Sequence, residues 1–218
     1  MSRTSPGIMS PADNFTISPG TRSRSGISFA WLSRTTVAVT VIIAFNLAAA
    51  LSARDRIAES RIHSRAAEII HAQTTLKDFP LDVPTRDNLG VLLIKAGDAA
   101  GAIQQWTTSL QIDPNDGNAL NNLGWALATH PVDAIRDGKK AVELAEKASA
   151  LPGGQSPIVL RTLAAAYAES GDFAKAIGIA QRAVESATAQ GNNSLVETLR
   201  HEIELYQTQT AYREKPSE

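Results

Sequence analysis

Histidines, carboxylates and arginines are the side chains that could do chemistry in this chain, and their spacing gives them little to do. The four histidines, His63, His71, His130 and His201, lie far apart, and none has a carboxylate or a second histidine at a ligand spacing that recurs on one helical face. His63 and His71, with Glu59 and Glu68 nearby, come closest, and they read as a solvated helix face. There is no cysteine, which removes disulfides, thiolate metal sites, a thiol nucleophile and a lipidated cysteine together. Asp133, Arg136 and Asp137 carry the groups of an acid–base cluster, but in a polar connecting stretch they read as solvated ion pairs. Gly153-Gly154 follows a proline and lacks the preceding strand that a phosphate cradle needs. The expectation is a protein with no catalytic residue, no metal site and no cofactor, hence no enzyme.

What does recur is asparagine. Asn88 and Asn122 stand 34 residues apart, each opening an Asn-Leu-Gly triplet. An amide offers both donor and acceptor, the pair of groups that an extended peptide backbone presents. The elements that would position them come from comparing the chain with itself: NLGVLLIKAGDAAGAIQQWTTSLQIDP from Asn88 aligns with NLGWALATHP from Asn122. That offset and the residues Leu89, Gly90, Leu93, Gly97, Ala102, Trp106 and Pro114 resemble the tetratricopeptide-repeat (TPR) family, whose unit is two antiparallel helices. Close crossing of two helices explains Gly90 and Ala102, where a large side chain would hold them apart, while Leu89, Leu93 and Trp106 fill the space. Asp98 is placed to cap the second helix, and Pro114 to end it.

The second unit carries Leu123, Gly124 and Leu127, then a longer turn, HPVDAIRDG, before Ala141, Ala145 and Ala148 resume the pattern. Leu163, Ala164, Tyr167, Gly171, Asp172, Ala176, Ala180 and Ala183 make a third. Each exposed large apolar side chain forgoes about 1.5–3 kcal/mol, so such an array needs a cover at each end. A final helix with Leu195, Leu199, Ile203 and Tyr206 in one stripe, begun by a Ser194–Glu197 capping box, is expected to supply one.

The N-terminal third is different. Residues 1–28 are rich in Ser, Thr, Pro and Gly, without apolar periodicity, and are expected to be a disordered tail. Nineteen uncharged residues, 35–53, lie between Arg34 and Arg54. At roughly 1.5 Å per residue they would nearly cross a ~30 Å hydrocarbon core, so 29–53 is expected to be a transmembrane helix with Trp31 at the interface. A signal peptide cleaved after the small residues Ala48 and Ala50 is the alternative, implying export. Arginines on both sides of the run leave orientation tied; a long C-terminal domain translocates largely regardless of its charge, which favours the repeats outside the cytoplasm. Residues 54–79 read as a helical stalk or degenerate half-repeat, 80–208 as the TPR domain and 209–218 as a disordered tail.

The fold expected is therefore all-α: a TPR-type α-solenoid of about three helix-turn-helix repeats with a C-terminal capping helix, after a single transmembrane helix and a disordered N-terminal tail. Twenty-one basic residues against 22 acidic ones give a net charge of −1, which offers nothing to a nucleic acid. The TPR resemblance implies a groove lined by the first helix of each unit, and its candidate peptide-binding residues are Asp87, Asn88, Val91, Lys95, Asn121, Asn122, Trp125, Arg161 and Thr162. The expectation for function is a membrane-anchored scaffold that binds a protein or peptide partner. A self-association module forming a homo-oligomer, or a non-catalytic subunit of a membrane glycosyltransferase system, are the alternatives.

Overall fold

A computed structural model describes residues 39–43 and 57–215, with side chains from residue 63 onwards in the long segment. The regular structure among them is entirely helical. After a short helical stretch at 39–43 come α1 (Ile57–Asp78), α2 (Val83–Lys95), α3 (Ala99–Ile112), α4 (Gly117–Thr129), α5 (Gly138–Ala150), α6 (Pro157–Glu169), α7 (Phe173–Ala189) and α8 (Asn193–Gln207). Most of the expected span at 35–53 and the whole of the tail at 1–28 lie outside the described residues, and no described helix is long and apolar enough to cross a membrane.

Each helix packs on its neighbours in the chain, and α4 also packs on α6 and α2 on α4. Alanine makes these approaches close: Ala102, Ala141, Ala145, Ala164, Ala176, Ala180 and Ala183 are all fully buried. Where the first pair crosses, Gly90 is required, because a Cβ there would sit 2.4 Å from Nε1 of the buried Trp106. That same nitrogen donates to the Asp87 carbonyl oxygen at 3.2 Å. The equivalent Gly124 is under no such pressure, since its nearest neighbours would lie 3.5–3.6 Å away. The C-terminal half of α1 joins the core through Ala72, Ile69 and Leu76.

One device ends several helices. After α2, α6 and α7 the chain passes through a left-handed glycine, Gly97, Gly171 and Gly191, and the next residue donates its N–H five positions back: Asp98 to Leu93, Asp172 to Tyr167, Asn192 to Ala187. That residue then caps the following helix, Asp98 accepting from the N–H of Gly101, Asp172 from Lys175 and Asn192 from Leu195. α8 is thus capped by Asn192 and begins at Asn193, so the expected Ser194–Glu197 box does not form its start. The apolar stripe is in place, with Leu195, Leu199 and Tyr206 buried and Ile203 partly so. α4 departs from the device: it stops before Pro131, and the longer turn carries a single 3-10 turn, Asp133–Ile135, before Asp137 caps α5.

Candidate functional site

The first helices of the three pairs are α2, α4 and α6, and the richest side-chain chemistry sits where α4, α6 and α8 meet. Glu202 of α8 is fully buried, an expensive position for a carboxylate without a partner. Its partner is Arg161 of α6, whose Nε and Nη2 both donate to Oε1 at 2.8 and 2.6 Å. Burial lifts the Glu202 carboxyl above the ordinary carboxylate range, and the guanidinium works against that rise. The same burial opposes the charge on Arg161, but Glu202 more than restores it. The pair fixes the guanidinium plane 4.2 Å from the centre of the Trp125 indole on α4, a cation–π contact.

Onto this platform comes a segment expected to be an unstructured tail. Residues 211–215 have no regular backbone structure, yet they are tied down along their length. The Tyr212 ring lies 5.9 Å from that of Trp125, tilted by 38°, and 5.7 Å from the Arg161 guanidinium. Glu214 accepts from the Trp125 indole N–H at 2.8 Å, and its own backbone N–H donates to the Thr129 carbonyl at 2.9 Å. Between them Arg213 reaches the Glu169 carboxylate at 2.5 Å.

Glu169 is held in turn by Arg136, whose Nε is 2.9 Å from its other oxygen. Arg136 also donates to the carbonyl of His130 at 2.8 Å and binds Asp133, so it is the clasp of the longer turn. Asp137 has a different task, capping α5 by accepting from the Lys140 N–H. Beyond Glu214 a cleft of about 620 Å³ opens between the end of α2 and this turn, lined by Ile94, Lys95, His130, Pro131, Val132 and Lys215.

The structure divides the sequence-derived candidates. Trp125 and Arg161 come together, and Lys95 borders the same cleft. Asn88 is exposed and Asn122 half-buried, and neither enters the contacts around Trp125. Asn121 faces another depression, beside the Gly153-Gly154 turn. Three candidates make packing contacts, Val91 while only partly buried. Thr162 is buried with its methyl against Gly124, Val91 packs on the core, and Asp87 is buried near Ser109 and Asp116. α4 lies directly on α6 and on α2, so the helix positions that a lone pair would leave open are covered by the next one.

Glu202 escaped notice because α8 has charges on its outer face. Its signal was the spacing 195, 199, 202, 206, which places it in the apolar stripe itself. Two of the histidines have local partners: the N–H of Val132 donates to His130 Nδ1 at 3.1 Å, and His201 lies 3.8 Å from Glu204. No three potential metal ligands converge among the described residues. Compared with known proteins, the chain matches no protein-family model and no curated sequence.

Proposed function

We propose that this protein is a scaffold of TPR type, tethered to a membrane by residues 35–53, whose first-helix face binds an extended peptide segment of a protein partner. The observation that carries the reading is the way Trp125, Thr129 and Arg161 hold residues 212–214 by backbone and side chain together. A backbone donor taken up by a helix-end carbonyl, an aromatic ring on a pinned guanidinium and a carboxylate on an indole N–H are the means by which one chain grips another. The repeat architecture is supported by the offset of 34 residues, by Gly90 under Trp106, and by the recurring glycine-then-cap device. The tether is supported by the uncharged run alone.

A peptide array probed with the full-length protein tests the reading. A subset of sequences should bind, and Trp125→Ala and Arg161→Ala should each weaken that binding at least tenfold while the helical circular dichroism is retained. Binding indifferent to both substitutions would place the partner elsewhere. Because the chain has no cysteine, a single Ser217→Cys labelled by a membrane-impermeant thiol reagent in intact cells reports the compartment. Labelling with membrane retention is expected, and labelled protein in the soluble fraction would mean the apolar run is a cleaved signal.

A further inference from the structure

We propose that the ligand is an extended segment of a partner protein of the form aromatic–X–Glu followed by a large apolar residue, and that Tyr212-Arg213-Glu214 is a resident copy which this segment displaces. The inference rests on the peptide-binding reading above and names its ligand class. Tyr212 and Glu214, two residues apart, both engage Trp125, while Arg213 between them turns to Glu169; side chains alternate in this way along an extended chain. The aromatic position is read by Arg161 and Trp125, the acidic one by the indole N–H, and the backbone by Thr129.

The receiving groups are held in place by bonds that do not involve the tail. Arg161 is set by Glu202, Glu169 by Arg136, and the Thr129 hydroxyl donates to the Trp125 carbonyl at 2.9 Å. The site therefore persists when the tail leaves.

The resident segment is a poor fit in two respects. The position after the glutamate is Lys215, exposed in a cleft whose walls include Ile94, Pro131 and Val132, the last 52% exposed, so apolar surface there stays uncovered. The turn that delivers the tail also puts Gln209, a residue with a Cβ, at φ 56°, where the equivalent helix ends use glycine. A free peptide carries no such strain, and a leucine after the glutamate would cover the cleft wall.

The occupant that displaces the tail is a foreign segment rather than a second copy of this chain. Tyr206, the last buried residue of α8, is only six positions before Tyr212, and a tether that short gives the tail an effective concentration of about millimolar. An identical tail on another molecule at micromolar concentration makes the same contacts at a roughly thousandfold disadvantage. Only a segment with better contacts wins.

Fluorescence polarisation of a labelled Ala-Tyr-Arg-Glu-Leu peptide against the full-length protein provides the test. The peptide should bind the Tyr212→Ala/Glu214→Ala variant at least tenfold more tightly than the wild type. On that variant, alanine at the peptide's tyrosine or glutamate should weaken binding at least tenfold, and lysine in place of its leucine several-fold. A chain carrying Val132→Cys and Lys215→Cys, joined by a reducible cross-linker, should not bind until reduced; this arm stands even if the double variant unfolds.

If other extended peptides bind through Trp125 and this one does not, the ligand class is wrong and the groove reading stands. If none binds either form, both fall. Equal binding before and after reduction would make the tail a structural brace. A wild-type dimer that disappears in the double variant would put the tail in a second copy, overturning displacement by a partner.

Discussion

Asp87 and Glu202 are both buried carboxylates on helices of the same array, and their surroundings treat them in opposite ways. Around Glu202 an arginine donates twice to one oxygen, and the pair forms the floor under Trp125 and the tail. Around Asp87, 6% exposed, neither oxygen has a hydrogen-bond partner of good geometry among the described residues. Burial pushes its pKa up to about 6, Ser109 opposing the rise, nearby Asp116 adding to it, and adjacent Arg86 offsetting only part. A buried charge supported by a fixed counter-charge can orient a site, whereas one beside another carboxylate makes the fold sensitive to pH. The C-terminal half thus holds the fixed ion pair on which the proposed grip rests, and the N-terminal half is closed around Trp106.

The sharpest way to break that contrast is Glu202→Gln. The substitution keeps the shape and leaves the guanidinium of Arg161 without its counter-charge, which should destabilise the protein by about 2–3 kcal/mol. For a domain of this size that lowers the melting temperature by roughly 5–10 °C, measured by circular dichroism. Arg161→Leu combined with Glu202→Leu should be less destabilised than Glu202→Gln, because no charge is left stranded. A harmless Glu202→Gln would mean that the pair does not hold Arg161, and the two carboxylates would cease to differ.

The packing half is probed by Gly90→Ala against Gly124→Ala. The first drives a methyl to 2.4 Å from the Trp106 indole and should be destabilising by about 1–3 kcal/mol. The second meets ordinary contact at 3.5 Å and, with a better helix former, should be neutral or stabilising by up to about 1 kcal/mol. Chemical denaturation of the two variants side by side measures the difference. Equal effects would mean that the first pair can open where the structure shows it closed.

Asp87→Asn acts next in size. With a folded pKa of about 6 against a usual 3.8, Asp87 holds a proton in the folded chain that the unfolded chain has already lost between those values. Stability from this group is therefore full below pH 4, falls as pH rises through 6, and stays low above. Asparagine should raise stability at pH 7 by roughly 1–3 kcal/mol and flatten the pH profile between 4 and 6. An unchanged profile would show that Asp87 is already solvated in the fold.

Much of the fold was legible because its devices are local. Asp98 as a cap, Pro114 after the end of α3 and the stripe ending in Tyr206 are each set by residues within a few positions, Gly90 at the crossing answers Trp106 on the next helix, and the structure has them as expected. The site was legible in half. Trp125 and Arg161 stood out singly, but the bond from Trp125 to Glu214 joins residues 89 apart, and no periodicity encodes a contact that only the folded array brings together. The burial of Asp87 and Thr162 was hidden for a related reason: a helix wheel shows which face is polar, not which face the next helix covers.

The smallest effect sharpens the comparison at the helix ends. In the packing half the reversal after α2 uses Gly97 at φ 84°, whereas the reversal after α8, with the same pair of backbone bonds, uses Gln209 at φ 56°. A Cβ in the left-handed region costs about 1 kcal/mol or more, but glycine has more freedom to lose on folding, so Gln209→Gly should gain only about 0.5 kcal/mol in global stability. Its larger consequence is local, because Thr210 and the segment that follows depend on that turn. Relieving the strain should slow hydrogen exchange at the Glu214 N–H, which the Thr129 carbonyl protects, by a few-fold, with little change at Asp98 behind Gly97. Faster exchange at Glu214 would show that the reversal does not hold the tail in place and that the grip lies wholly with Trp125 and Arg161.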